Sequence, residues 1–572
     1  MYFPPLPTLP EESETVTWER FAPAFAALEN AEVQPEDYQE WLDYWSDLSR
    51  VLLEIMTDLS IQKSIDTTDA DKEQAYLDFV ENVWPQVMVA DQALKQRLLA
   101  MDLPERGDLA LVLRNMRNEA DLYRDENVPL KTELAKLDNK YDKITGSLKT
   151  DWDGKEHNLS QLGQYLMDKD RQVRERAWRA MMDLWLSERE SLNALYAEML
   201  ALRQQVAHHA DLPDYRAYVF REYGRFDYTP QDCLTFHEAI ETAVVPAAQR
   251  IYEKKRQRLG LETLRPWDVQ VDTSEYPPLK PYQGQEALIE GALNILSQVD
   301  PALGRHFALM AEENLLDLET RPGKALGGYC ATLPVRRRPF IFMNGVGLHD
   351  DVQTLLHEAG HAFHVFEPAA LPLIWQTDVP MEFCEVASMS MELLAAPYLT
   401  RNFGGFYTPA EAARARIEHL EGIITFLPYM AVVDAFQHWV YTHPEEALSA
   451  ANCDAAWDNL WARFMPGVDW SGFEDSRVTG WHRKLHIFSV PFYYVEYGMA
   501  QVGALQVWRN ARQNQAEAVA AYRRALALGG TKPLPELFAA AGAEFRFDTE
   551  MLSDLVELVE GTIAELESVA QN

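Results

Sequence analysis

Apolar residues recur every three to four positions along much of the chain. Leu162 to Arg203 and Thr235 to Arg258 carry long amphipathic patterns with few breakers, which predicts a helical N-terminal half. Two helices are predicted further on. Thr354 to Phe366 (TLLHEAGHAFHVF) has helical spacing and stops at Glu367-Pro368, where proline cannot continue it; Met381 to Leu394 (MEFCEVASMSMELL) is the second. The pattern changes in two places. Ile144 to Leu159 reads as a hairpin turning at Asp153-Gly154, and Ala325 to Asn344 reads as two strands, GGYCATLP and PFIFMN, joined around Val335-Arg336-Arg337-Arg338. The Pro- and Gly-rich stretch Pro266 to Gly284 is the expected boundary between regions 1–265 and 266–572, which can still interlock as one body. The chain shows no internal repeat, heptad run or low-complexity tract.

One of these helices carries candidate chemistry. His357-Glu358-Ala359-Gly360-His361 places two imidazoles four residues apart, on one face and about a turn from each other, so both can reach one metal ion. With 14 histidines in 572 residues, roughly 0.03 such HExxH patterns are expected by chance. Zinc lowers the pKa of water towards roughly 7, and Glu358 is placed to take its proton during attack on a carbonyl and to pass it to the leaving amine. A third protein ligand is then needed. Glu385, 24 residues after His361, lies far enough on for the chain to turn and return, and is the choice over Glu392 and Glu382. Glu392, seven residues later on the same face, fits a partner for a ligating imidazole. Glu382 sits at the helix start, where the helix dipole favours a carboxylate. His364 shares the face of His361 but lies a turn too far from a metal held by the first two histidines. Gly360, costly in mid-helix by about 1 kcal/mol, points to close approach of another backbone or a substrate.

HEAGH, EVASMSMELL and the later block HIFSVPFYYVEYGMAQVGALQ together resemble the oligoendopeptidase F branch of the thimet oligopeptidase-like metallopeptidases. Arg321 to Asn344 (RPGKALGGYCATLPVRRRPFIFMN) resembles that family's active-site strands, and Leu264-Arg265-Pro266-Trp267-Asp268 its short upstream motif. The similarity runs from about Leu264 to the C-terminus and is looser before it. The resemblance implies a mostly α, bilobal helical zincin with a small β-sheet edge at the active site and a deep channel that admits short peptides and excludes folded proteins. It implies one zinc ion held by His357, His361 and Glu385, with Glu358 as general base. It also implies a histidine followed by tyrosines at the substrate and oxyanion. Here these are His486, Tyr493 and Tyr497, the two tyrosines sharing a face if Pro491 starts a helix, with Tyr494 as the alternative. By analogy with other zincins, an extended peptide would pair with the strand edge; the three arginines read as a charged turn or as a trap for a substrate carboxylate.

Charge and cysteines narrow the setting. A net charge of −37 argues against nucleic acid and anionic membranes as partners. The start MYFPPLPTLPEE lacks the layout of a signal peptide, and no run of about 20 apolar residues is expected, so a cytoplasmic location is predicted. Cys233, Cys330, Cys384 and Cys453 are scattered without CxxC spacing, which argues against disulfides and thiolate zinc sites. Cys384 reads as a packing residue and His208-His209 as surface. The expected function is a zinc endopeptidase acting on oligopeptides. A zinc carboxypeptidase or dipeptidyl carboxypeptidase would need a cationic pocket, for which Arg336, Arg337, Arg338, Arg483 and Lys484 are available; an inactive helical binding protein is the third reading. Oligomeric state stays open.

Overall fold

A computed structural model describes residues 2–10, 15–34, 37–101, 107–273 and 276–570. Helices dominate, with one two-stranded and one three-stranded sheet among the described residues. Those that frame the site are α1 (Tyr38–Ile65), α2 (Arg171–Ser187), α3 (Arg189–His209), α4 (Pro230–Ala239), α5 (His349–Phe366), α6 (Met381–Ala395), α7 (Pro409–Thr442) and α8 (Tyr494–Gln513). The run expected over Leu162 to Arg203 is broken: a short helix (Leu159–Gly163) and a 3-10 turn (Gln164–Met167) precede α2 and α3, which are separated at Glu188. Asp170 caps α2 by accepting from the Gln172 amide. The run expected from Thr235 starts earlier. Thr229 and Asp232 cap each other at the start of α4, and the helical path continues through a π turn to Arg258.

The hairpin forms from β1 (Lys149–Trp152) and β2 (Lys155–Asn158). Asp153 and Gly154 both have positive φ, 54° and 82°, as a tight two-residue turn of this hand requires. The second sheet has the order β3-β5-β4, from β3 (Leu316–Glu319), β4 (Tyr329–Leu333) and β5 (Arg338–Gly345), so β4 is its edge. Phe340 to Met343 of β5 are buried in succession, which is how a central strand covered on both faces reads in sequence. β3, parallel to β5, is not anticipated by the sequence reading. Glu54 of α1 clamps the β4–β5 turn, accepting from the amides of Val335 and Arg336 and from the Arg336 guanidinium, which also meets Asp58.

The principal hydrophobic core takes residues from Ile61 to Leu566, on both sides of position 266. A second cluster fills the N-terminal helices, and a third gathers Trp152, Trp178, Trp267 and Trp470. The stretch Pro266 to Gly284 crosses between these bodies, with Trp267 in the third cluster and Tyr282 in the principal core; positions 274–275 lie outside the described residues. Asp268 is fully buried and bridges Arg171 and Arg174 at 2.8 Å each. One helix, α7, is long and apolar enough by length and composition to cross a membrane, although Asp434 interrupts its apolar run. Most of that segment is buried inside the protein, where it serves as a core helix.

Candidate active site

The HExxH helix α5 begins before the predicted Thr354, because Asp351 builds its start. One oxygen of Asp351 accepts from the amides of Val346, Gly347 and Leu348 and from the Tyr282 hydroxyl, at 2.7–2.9 Å. Its C-terminus passes into a 3-10 turn at Glu367–Ala370, as Pro368 dictates. Helix α6 crosses α5 at Gly360. A Cβ there would stand 2.5 Å from the Ser388 Cα and 2.6 Å from the Ala387 carbonyl oxygen, so only glycine allows this approach.

That approach brings Glu385 to the two histidines. Its Oε2 lies 3.4 Å from His357 Nε2 and 3.7 Å from His361 Nε2, and the three donors all fall within 4.8 Å of one another. The set fits a His2Glu zinc site, and the surroundings fix its orientation. Glu392 accepts from His357 Nδ1 at 2.7 Å, leaving Nε2 to face the centre, and its other oxygen meets His419 Nε2 at 2.8 Å. Ser388 Oγ donates to Glu385 at 3.0 Å. Burial alone would raise the Glu392 carboxyl; hydrogen bonds from His357 and His419 outweigh it and hold it at about 2. Glu358 is different. Burial pushes it up to about 7, against the pull of His357 and with the nearby charges of Glu385 and Glu392 adding to the rise. His364 stays outside this cluster, buried against the Phe383 ring.

The edge strand β4 passes this centre: burial raises the Cys330 thiol, and the charge of Glu358 raises it further. Across the centre stand His486 and the tyrosines. Helix α8 starts at Tyr494, not at Pro491, which lies in a turn. The cause is Phe492, held at φ 65° with its amide donating to Gln437 at 2.7 Å and its carbonyl accepting from Arg225 at 2.6 Å. Tyr493 therefore precedes the helix, yet its ring packs 5.4 Å from Tyr497. The pKa values of both tyrosines are raised, by burial first and then by neighbours that include the charge of Glu385. Tyr494 instead lies under the Lys484 ammonium, 3.6 Å from its ring centre. Burial, then Lys484, lowers His486 to about 4, so its imidazole is neutral near pH 7. A cavity of about 410 Å³ connects Glu392 and His419 with Phe426, His486, Tyr494 and Tyr497.

Several groups have roles that the sequence does not reveal. Arg225 is fully buried behind the centre, donating to Glu496 at 2.6 Å and lying 3.5 Å from Glu382, which also accepts from Tyr228 at 2.6 Å. Glu382 does occupy the first turn of α6, but these partners hold it. Of the three arginines, Arg336 pairs with Glu54 and Asp58, and Arg338 with Glu313, so neither is free to bind a substrate carboxylate. Arg337, at φ 53°, lines a separate cavity of about 590 Å³ with Arg50, Ala331, Thr332, His364 and Trp375. Cys384 is a half-buried thiol whose pKa burial raises, suited to packing.

A histidine pair gripping one face of a helix, a carboxylate returned to it by the next helix and a sheet edge alongside define a helical zincin, the architecture of metallopeptidases. The model of peptidase family M3 matches residues 164–557, and the chain belongs to that family and is a metalloendopeptidase of the oligoendopeptidase F type. Among curated relatives, the oligoendopeptidase F homolog of Mycoplasma pneumoniae is 22% identical over 521 residues, 82% of this chain and 78% of that protein. The homolog of Borreliella burgdorferi is 23% identical over 300 residues, 51% of this chain and 49% of that protein. Among solved structures, Pz peptidase A with an inhibitor superposes with a TM-score of 0.85 at 28% identity, covering 97% of this chain and 98% of that one.

Proposed function

We propose that the chain is a zinc-dependent endopeptidase that hydrolyses short oligopeptides, with His357, His361 and Glu385 holding one zinc ion at the site and Glu358 moving the proton. The observation that carries the reading is the convergence of these three donors beside a buried carboxylate whose pKa is about 7. When bound there, zinc supplies Lewis acidity that lowers the pKa of water towards about 7 and polarises a carbonyl. Glu358 accepts the proton of the attacking water and returns it to the leaving amine, for which a pKa near neutrality suits both directions. Tyr497, Tyr493 and neutral His486 donate hydrogen bonds where negative charge develops on the scissile carbonyl oxygen. The β4 edge holds the extended peptide through its main chain, which favours broad sequence use.

We place the enzyme in the cytoplasm; its four cysteines, all unpaired, support this. The net charge of −37 fits peptide rather than nucleic-acid partners.

A carboxypeptidase reading rests on Lys484, whose ammonium lies over the cavity-lining Tyr494. Mass spectrometry of the products from a peptide of about ten residues, blocked at both ends, separates the two. Internal cleavage is expected; cleavage only after the C-terminal block is removed would favour the carboxypeptidase.

A further inference from the structure

Away from the HExxH centre, a second set of metal-ligating side chains meets in the core. Helix α4 contributes Cys233 and His237, and α7 contributes Asp434 and His438, each pair four residues apart and so on one helix face. All four are sealed from solvent, none more than 4% exposed. Sγ of Cys233, a carboxylate oxygen of Asp434 and a ring nitrogen of His438 lie within 4.8 Å of one another. His237 Nε2 reaches Asp434 Oδ2 at 2.9 Å.

Hydrogen bonding leaves this cluster incomplete. Asp434 Oδ1 and His438 Nε2 are buried without a hydrogen-bond partner among the described residues; His438 Nε2 lies 3.3 Å from Asp434 Oδ2 but is poorly aligned with it. Unsatisfied buried acceptors and donors of this kind destabilise the fold, and a shared cation would satisfy them together. We propose that Cys233, His237, Asp434 and His438 form a second, structural site for a zinc-class divalent ion that ties α4 to α7. Thiolate, imidazole and carboxylate are the donors such an ion takes, and four protein donors with no open position mark a structural site. In a tetrahedral zinc site these donors stand about 3.3–3.6 Å apart, so Cys233, Asp434 and His438, within 4.8 Å, close by about an ångström, and His237, which lies outside that set and hydrogen-bonds only to Asp434 of the three, moves further to join as the fourth donor. Binding releases the Cys233 thiol proton to solvent, and both rings ligate through Nε2 with their protons on Nδ1. Arg216, whose guanidinium now approaches His438 Nδ1 at 3.4 Å, then turns to Asp214, 3.7 Å away.

Elemental analysis of the full chain purified from zinc-replete culture tests this directly. Two zinc ions per chain are expected in the wild type, one in Cys233→Ser and one in a His357→Ala/His361→Ala double variant. Refolding with cobalt should give a thiolate-to-cobalt charge-transfer band in the wild type and in the double variant, because the HExxH centre has no sulfur donor, and no such band in Cys233→Ser. If Cys233→Ser does not fold, the double variant decides alone: one metal with the thiolate band supports the site. A single zinc in the wild type, a second zinc that survives in Cys233→Ser, or a metal-free double variant would overturn it and leave a sealed cluster held by the His237–Asp434 hydrogen bond.

Discussion

Helices α6 and α8 each present two carboxylate or phenol groups to opposite sides, and the two sides behave differently. On the front, Glu385 and Tyr497 face the half-open HExxH centre, where the side chains of His357 and His361 keep 25% and 23% of their exposure. On the back, Glu382 and Glu496, three residues before Glu385 and one before Tyr497, close on fully buried Arg225. The front holds donors in place and leaves an accessible face for substrate. The back spends its polar groups on each other, and one guanidinium serves two carboxyl groups. Burial, with Glu382 nearby, pushes Glu496 up to about 8 despite the Arg225 contact. Rigidity behind and accessibility in front are thus built from the same two helices, and Arg225 joins them by also holding the Phe492 carbonyl just before Tyr493.

Arg225→Met probes the back most severely. It leaves Glu382 and the protonated Glu496 buried without their shared donor and should cost about 3–5 kcal/mol of stability, read by urea denaturation; a loss below about 1 kcal/mol would show that the cluster does not brace the helices. On the front, Tyr497→Phe should lower kcat by about 10²–10³-fold, or about 2.7–4 kcal/mol, while Tyr494→Phe stays within a few-fold of wild type. Equal losses in the two would erase the distinction drawn between them. Glu392→Gln should weaken zinc binding by about 10–100-fold, measured by chelator competition, since the His357 imidazole loses the group that orients it. The smallest effect is a pH dependence from the back. Glu496 holds its proton in the folded protein up to about pH 8 but loses it near pH 4.5 when unfolded, so the folded state binds more protons between these values and stability falls as pH rises through that window. Glu496→Gln should flatten this limb, and an unchanged slope would assign it to another group.

The front was the legible side. Helical spacing alone set His357 beside His361, and chain length between them and Glu385 allowed the return that Gly360 makes sterically feasible. Glu392 was recognisable as an imidazole partner for the same reason of local periodicity. The back depends on contacts that no local pattern encodes: Arg225 meets Glu496 across 271 residues and Tyr228 meets Glu382 across 154. Pro491 looked like a helix start, yet Gln437 and Arg225 hold the following residue in a left-handed turn and delay the helix to Tyr494. The arginine run had the same ambiguity: Arg336 is claimed by Glu54 and Asp58 from a helix some 280 residues earlier, and Arg338 by Glu313. β3 escaped notice because four residues, Leu316 to Glu319, are too few for alternation to stand out beside a helix.

Glu358 as the proton carrier at a zinc site is tested by kcat/KM of Glu358→Gln on an end-blocked peptide, with zinc content measured on the same preparation. A fall of about 10²–10⁴-fold at unchanged zinc content is predicted. Turnover within a few-fold of wild type at full zinc occupancy would contradict it.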